Sequence, residues 1–271
     1  MRGSALGAHI ACLGPSASAI LRRVVAVSHS PEPAYNYALP RAFPFYITCD
    51  VSHSMHAPRE DGRQTPFDIL SNCVGELLFQ LEAGDPGVSE AAHVSIVAFH
   101  DRADVVLPLT RPCDASNIPA LPKGGQTNYE QVFLTLRQLI QADCARLAGQ
   151  YQLKTPVVFF ITDGEPFVGN GRQPAEVWLP ARARLTDPAF PHRPHITAMG
   201  FGQVTEQTLC QVATSFRNNP LAYVADESIQ AVKVVAAIAQ AVQDSIGSSI
   251  RNSDFVIPIP AGMRRLPCGG S

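Results

Sequence analysis

The chain has 271 residues, of which 46% are hydrophobic and 16% are charged, and its 21 basic and 23 acidic residues give a net charge of -2. This composition is typical of a globular protein with enough apolar side chains to build a core. The near-neutral charge argues against a generally cationic protein that binds nucleic acid or a membrane surface, and we expect neither partner. The most apolar segment, 231–246, contains Lys233 and Asp244, which argues against a membrane span.

The cysteines are odd in number and lack the C-x-x-C spacing of zinc sites and redox motifs. The seven occupy positions 12, 49, 73, 113, 144, 210 and 268. Cys49 lies in an apolar segment and Cys73 on the apolar face of a predicted helix, so packing accounts for both. We therefore predict reduced cysteines, no disulfide framework and a cytoplasmic location.

The first 40 residues show no sustained hydrophobic period, and their prolines and glycines predict a poorly ordered N-terminal extension. Ala17-Ser-Ala19 resembles a signal-peptidase site, but His9 and Pro15 interrupt the apolar stretch before it. An extension is our interpretation of residues 1–40, and a signal peptide is the alternative.

From residue 43 onward, apolar runs typical of buried strands alternate with amphipathic helices. The first helix has clear boundaries: Thr65 can cap it, Pro66 begins it, Asp68 completes a capping box, and Gly84 ends it. The other predicted elements are strands at 43–49, 156–162, 195–201 and 222–224, a hairpin of 93–99 with 103–109, and helices at 128–147, 174–184, 205–216 and 226–246.

This alternation predicts an α/β fold, namely a doubly wound, mostly parallel sheet covered by helices on both faces, with one antiparallel hairpin at an edge. Gly247 is expected to end the last helix. The prolines after it predict an irregular C-terminal tail over residues 250–271.

Side chains with oxygen atoms follow several of these elements at one edge of the predicted sheet. Asp50, Ser52 and Ser54 follow the first strand, Asp163 follows a later buried strand, and Thr127 precedes the second long helix. Ligands of such sheets bind beyond the carboxyl ends of the strands, so we expect these side chains to converge. Hydroxyl and carboxylate oxygens suit Mg²⁺ or Mn²⁺, and two carboxylates are too few for a tight calcium site.

The series Asp50-x-Ser52-x-Ser54, Thr127 and Asp163-Gly resembles the metal-ion-dependent adhesion site of von Willebrand factor A (vWA) domains. The resemblance covers about residues 43–249. More narrowly, four features are similar to bacterial intracellular vWA proteins associated with tellurium resistance: the segments Pro44–Met55, Val106–Leu109 and Phe159–Pro166, together with Trp178.

The resemblance implies that Ser52, Ser54 and Thr127 contact a metal ion directly, and that Asp50 and Asp163 bind it directly or through water. The chain departs from the family pattern at one point of this site. Gln126 is inserted between the Gly-Gly pair and the threonine, which puts the position of the Thr127 hydroxyl in doubt.

By the same resemblance, the protein is expected to be a non-enzymatic adaptor or scaffold of a bacterial stress-response or tellurium-resistance-type system. Neutral hydroxyl ligands leave a cation electrophilic, so a vacant position on the ion accepts an acidic side chain of a protein partner. His53, Met55 and Glu165 are predicted to contact that partner from the rim of the site.

Two other functions and one other motif also match part of the sequence. A metal-dependent phosphohydrolase also carries an aspartate after its first strand, but such enzymes generally need a second aspartate two residues on, where this chain has Ser52. A secreted vWA adhesin requires a signal peptide at the N-terminus. Gly200-Phe-Gly202 imitates a dinucleotide-binding fingerprint without its third glycine, so it predicts only a tight turn.

Overall fold

The structure is a computed structural model that describes residues 38–56, 64–115, 120–226 and 229–269. The predicted extension at 1–40 therefore lies almost entirely outside the described residues. The strands are β1 (Arg41–Asp50), β2 (Ala92–Phe99), β3 (Ala103–Thr110), β4 (Gln152–Leu153), β5 (Val157–Thr162), β6 (Phe167–Val168), β7 (Gly171–Arg172), β8 (His195–Gly200), β9 (Ser215–Phe216), β10 (Asn219–Pro220), β11 (Ala222–Ala225) and β12 (Met263–Arg265). The α-helices are α1 (Pro66–Ala83), α2 (Pro86–Ala91), α3 (Tyr129–Leu147), α4 (Ala175–Leu185), α5 (Glu206–Val212) and α6 (Ala231–Asn252), and short 3-10 helices occur at His53–His56 and Pro112–Asp114.

The main sheet has the strand order β12-β11-β8-β5-β1-β2-β3, with β4 beside β1. Strands β2, β1, β5, β8 and β11 pair in parallel, whereas β3 and β12 are antiparallel at the two edges. This arrangement confirms the predicted doubly wound, mostly parallel fold with an edge hairpin, and it adds an antiparallel strand at the opposite edge. The chain leaves β1 on one side for β2 and returns on the other side as β5. Strand order therefore reverses between β1 and β5, where ligands of such sheets bind.

Helices cover both faces of the sheet, which explains why the central strands are apolar throughout. Successive side chains of β1 point to opposite faces. Phe45 and Ile47 pack in a cluster with α1, α2 and α6, whereas Tyr46 packs in a cluster with α3, α4 and α5.

The predicted start of α1 is confirmed in atomic detail. Thr65 Oγ1 accepts a hydrogen bond from Asp68 N at 3.1 Å, and Asp68 Oδ2 accepts one from Thr65 N at 2.9 Å. These two bonds form the reciprocal capping box, which satisfies backbone N–H groups that have no partner within the helix.

The C-terminal part of the chain differs from the prediction. Helix α6 continues through Gly247 and ends at Asn252, with Ser253 in the left-handed region at φ 56°. The next turn buries Ser249 and Ile250, and this burial outweighs the cost of about 1 kcal/mol for a glycine inside a helix. The predicted helix at 205–216 ends at Val212, and the predicted irregular tail contains β12.

A disulfide joins Cys210 of α5 to Cys268, which follows β12. The prediction that the cysteines are reduced is therefore wrong for this pair. The two residues are 58 positions apart, so their proximity depends on β12 returning along β11. Within the described ranges, no helix is both long and apolar enough to span a membrane.

Candidate metal centre

The candidate centre lies at the carboxyl ends of β1 and β5. Cys49 pairs with Ile161 in the sheet, so Asp50 and Thr162, the next residues of the two strands, end side by side. Asp163 follows Thr162 directly, and Ser52 lies in the turn after β1. The parallel register of two buried strands therefore brings together residues that are more than 100 positions apart in the chain.

Four of the five predicted metal ligands belong to one hydrogen-bonded network. Ser52 N donates to Asp50 Oδ1 at 2.9 Å, and Ser54 Oγ donates to Asp163 Oδ1 at 2.7 Å. The Ser52 and Ser54 hydroxyl oxygens lie 3.2 Å apart and link the two halves. Two hydroxyls and two carboxylates therefore converge at this point, as the sequence predicted.

The loop before α3 brings Thr127 to the same edge of the sheet. Gly124 N donates to Val51 O at 2.9 Å, and His53 N donates to Gly125 O at 3.0 Å, which fastens this loop to the turn after β1. Thr127 itself exchanges two backbone hydrogen bonds of 2.9 Å with Phe167, in the segment after Asp163. Thr127 is thus attached to the segments that carry the other four residues, despite the inserted Gln126.

The two carboxylates of the centre are buried without a cationic partner. Asp50 is completely buried and Asp163 is 7% exposed, and no basic side chain among the described residues forms an ion pair with either. Burial raises the pKa of both carboxyls, and the charge of Asp163 raises the pKa of Asp50 further. The hydrogen bonds from Ser52 and Thr162 lower the pKa of Asp50 and so oppose this rise. Two such groups are costly to keep ionised together unless a cation neutralises them.

The donor set fits a hard divalent cation. In the described part of the chain, no group of three or more His, Cys, Asp or Glu side chains is arranged so that it could hold a metal ion, as a typical zinc site would require. Serine and threonine hydroxyls with aspartate oxygens are instead the ligands that Mg²⁺ and Mn²⁺ accept.

Three residues outside the predicted set of ligands support the centre. Thr162 Oγ1 donates to Asp50 Oδ2 at 2.7 Å, and the Tyr129 hydroxyl lies 3.3 Å from that Oγ1 and 3.1 Å from Gly164 O. Gly202 has φ +70°, and a Cβ there would lie 2.8 Å from Asp163 O, so only glycine fits. This conformation confirms the predicted tight turn, which Gly202 forms just after β8. The position of Thr162 at the end of a predicted strand could have indicated that its hydroxyl supports the centre. No local sequence signal indicates the same role for Tyr129.

The predicted rim of the site is only partly exposed. His53 is exposed, but the prediction that Met55 contacts a partner is wrong, because its side chain is completely buried in the core. The Glu165 carboxylate accepts hydrogen bonds from Thr205 N at 2.6 Å and Thr208 Oγ1 at 2.8 Å, and it pairs with Arg172. Glu165 therefore caps the start of α5, and its carboxylate already has partners within the chain.

We expect Ser52→Ala and Thr127→Val to weaken Mg²⁺ and Mn²⁺ binding at least about tenfold, the loss that even outer-shell changes produce at metal sites. Each change removes one oxygen and almost no core volume, so the melting temperature in EDTA should stay close to that of the parent. Calorimetric titration with MgCl₂ and MnCl₂ measures the loss. Affinities equal to the parent's in both variants would show that these hydroxyls are not ligands.

The comparisons with known proteins agree with this architecture. Residues 45–165 match the von Willebrand factor type A domain family. No curated protein sequence matches the chain.

Two solved proteins share the fold. One is proximal thread matrix protein 1 from the mussel byssus, in crystal form 2, with 16% identity and a TM-score of 0.52 over 78% of this chain and 49% of that one. The other is the pilus adhesin SpaC from Lactobacillus rhamnosus GG, with 14% identity and a TM-score of 0.58 over 79% of this chain and 32% of that one. The chain thus spans about half or less of these proteins, and identities this low establish the fold alone. The family match and the shared fold together show that residues 45–165 are similar to von Willebrand factor type A domains and that the chain has the corresponding fold.

Proposed function

We propose that this protein is a protein-binding module that captures an acidic side chain of its partner through a bound Mg²⁺ or Mn²⁺ ion. One observation carries the proposal. Two buried carboxylates, which have no cationic partner among the described residues, share a hydrogen-bonded network with two hydroxyls at the point where strand order reverses. A cation held by Ser52, Ser54 and Thr127, and by Asp50 and Asp163 directly or through water, would neutralise this charge.

The same network supports an acidic partner. Both Asp50 oxygens already accept hydrogen bonds, one from Ser52 N and one from Thr162 Oγ1. Because these oxygens are already engaged, neutral hydroxyls make up much of the set of ligands. Neutral ligands leave the positive charge of the cation largely uncompensated, so the cation stays electrophilic. An Asp or Glu side chain offers an anionic oxygen, which binds such an ion more strongly than a neutral group does.

A non-catalytic role is part of the proposal. This chain has Ser52 two residues after Asp50. Phosphohydrolases of similar architecture generally have a carboxylic acid at that position. A serine hydroxyl does not readily supply that proton. Steady hydrolysis of a generic phosphate ester, abolished by Asp50→Ala, would favour the phosphohydrolase instead.

We further propose that the module serves as an adaptor or scaffold in a bacterial stress-response or tellurium-resistance-type system in the cytoplasm. The Cys210–Cys268 disulfide favours a second candidate, a secreted vWA adhesin, because disulfides persist mainly in oxidising compartments. Cell fractionation with detection of the native protein distinguishes the two, since only the adhesin is found outside the cytoplasm.

Capture of the partner should depend on the cation. The immobilised chain is expected to retain its partner in millimolar Mg²⁺ and to release it on addition of EDTA or excess free glutamate, because glutamate supplies a competing carboxylate. Asp163→Ala should retain none. A matched control is Asp114→Ala, which removes an exposed carboxylate that pairs with Arg111 on another part of the surface. Retention that survives both EDTA and Asp163→Ala would contradict the proposal.

A further inference from the structure

A small hairpin beside the candidate centre exposes two consecutive apolar side chains. Strands β6 and β7 form this hairpin over Phe167–Arg172, which we call the apolar hairpin. Phe167 is 44% exposed and Val168 is 38% exposed. No two of the other exposed large hydrophobic residues in the described ranges are adjacent in sequence.

The apolar hairpin lies next to a predicted metal ligand. Thr127 and Phe167 exchange both backbone hydrogen bonds at 2.9 Å, the pattern of directly opposed residues in an antiparallel pair. The Cα atoms of such residues are about 5.5 Å apart and their side chains share a face. The Phe167 side chain therefore lies beside the Thr127 side chain.

Several contacts hold the apolar hairpin in place. The side-chain amide of Gln126 accepts from Gly169 N at 2.9 Å and donates to Gly169 O at 3.2 Å. Arg172, at the other end of the hairpin, pairs with Glu165, and the neighbouring Gln173 accepts from Tyr129 N at 3.1 Å. Gln126, the residue inserted into the family pattern, thus ties the turn of the hairpin to the Thr127 loop.

Exposed apolar side chains on a hairpin that is held in place are well suited to bind a partner. Apolar groups left in water contribute little to folding, whereas aromatic and aliphatic side chains commonly anchor protein interfaces. A hairpin that is already ordered also avoids the entropy cost of ordering it on binding.

We propose that the apolar hairpin selects the partner, and this inference rests on the proposed function. The preferred partner presents an Asp or Glu with a large apolar residue within two positions of it. Same-face side chains of an extended peptide are about 7 Å apart, so an acidic side chain and an apolar side chain two positions away can reach two neighbouring sites. The carboxylate would then reach the cation while the apolar side chain packs on Phe167 and Val168.

The test uses the full chain and an array of synthetic peptides. Each peptide has a fixed Asp and either Phe, Leu or Gly within two positions of it. Binding of the chain to each peptide is measured in Mg²⁺ and in EDTA. We expect the parent to bind Asp–Phe and Asp–Leu peptides about tenfold more tightly than Asp–Gly peptides, the effect of one good apolar contact. The double variant Phe167→Ser, Val168→Ser should lose this preference. Phe79→Ser, a matched control at an aromatic residue that is 60% exposed on α1, should keep it.

The outcomes separate the two proposals. An equal preference in the parent and the double variant, with binding still dependent on Mg²⁺, would overturn the role of the apolar hairpin and leave the proposed function intact. Binding that never depends on Mg²⁺ in the parent would overturn the proposed function and this inference with it. If the melting curve shows that the double variant is unfolded, Val168→Ser alone provides the same test.

Discussion

Replacing Asp50 with asparagine is expected to stabilise the metal-free protein at neutral pH and to abolish its response to magnesium. The change removes one of two buried carboxylates that repel each other. An asparagine oxygen still accepts from Ser52 N, and Thr162 Oγ1, which lies 3.1 Å from Gly164 O, can donate to that carbonyl instead. In the parent, Mg²⁺ at a hundredfold excess over its Kd should raise the free energy of unfolding by about 2.7 kcal/mol. This corresponds to a rise of roughly 5–10 °C in melting temperature.

Melting curves in Mg²⁺ and in EDTA, recorded as a function of pH, measure this effect. The pKa values of Asp50 and Asp163 in the folded state are raised, so above about pH 4 the folded state holds more protons than the unfolded state. The stability of the metal-free parent should therefore fall as the pH rises through these values, and Asp50→Asn should show a smaller fall. A parent whose melting temperature is the same in Mg²⁺, Mn²⁺ and EDTA would argue against a preformed site.

Removal of the Cys210–Cys268 disulfide is expected to lower the free energy of unfolding by about 4 kcal/mol, the chain-entropy estimate for residues 58 positions apart. Denaturant unfolding of the parent, with and without a reductant, and of Cys268→Ser measures the loss. Cys113→Ser is the matched control, because Cys113 is a free and exposed cysteine. Peptide mapping without reductant should recover Cys210 linked to Cys268, and finding both as free thiols in the native protein would contradict this prediction.

These results also bear on where the protein works. An unfolding free energy that changes little on reduction would suit a protein in a reducing compartment, where the disulfide would not persist. A large loss measures what the disulfide contributes when it is present, and cell fractionation decides between the cytoplasmic adaptor and the secreted adhesin.

The fold class and most of the candidate centre are predictable from the order of amino acids along the chain. The central strands are buried on both faces, so their apolar runs are continuous and visible without a structure. The start of α1 was also readable, because the capping box of Thr65 and Asp68 is a local interaction. Asp50 ends β1, Ser52 lies two residues later and Asp163 directly follows β5. Parallel strands bring their carboxyl ends to one edge of the sheet, so the order of residues along the chain is enough to predict that these side chains converge.

Other features depend on contacts between distant segments and could not be predicted from local sequence patterns. The burial of Met55, the pairing of Gln126 with Gly169, and the continuation of α6 through Gly247 each result from packing against residues far away in the chain. The same is true of β12 and the disulfide, since nothing near Cys268 indicates that it returns to Cys210. Local propensities differ by about 1 kcal/mol or less, whereas burying one large side chain contributes about 1.5–3 kcal/mol, so long-range packing prevails where the two conflict.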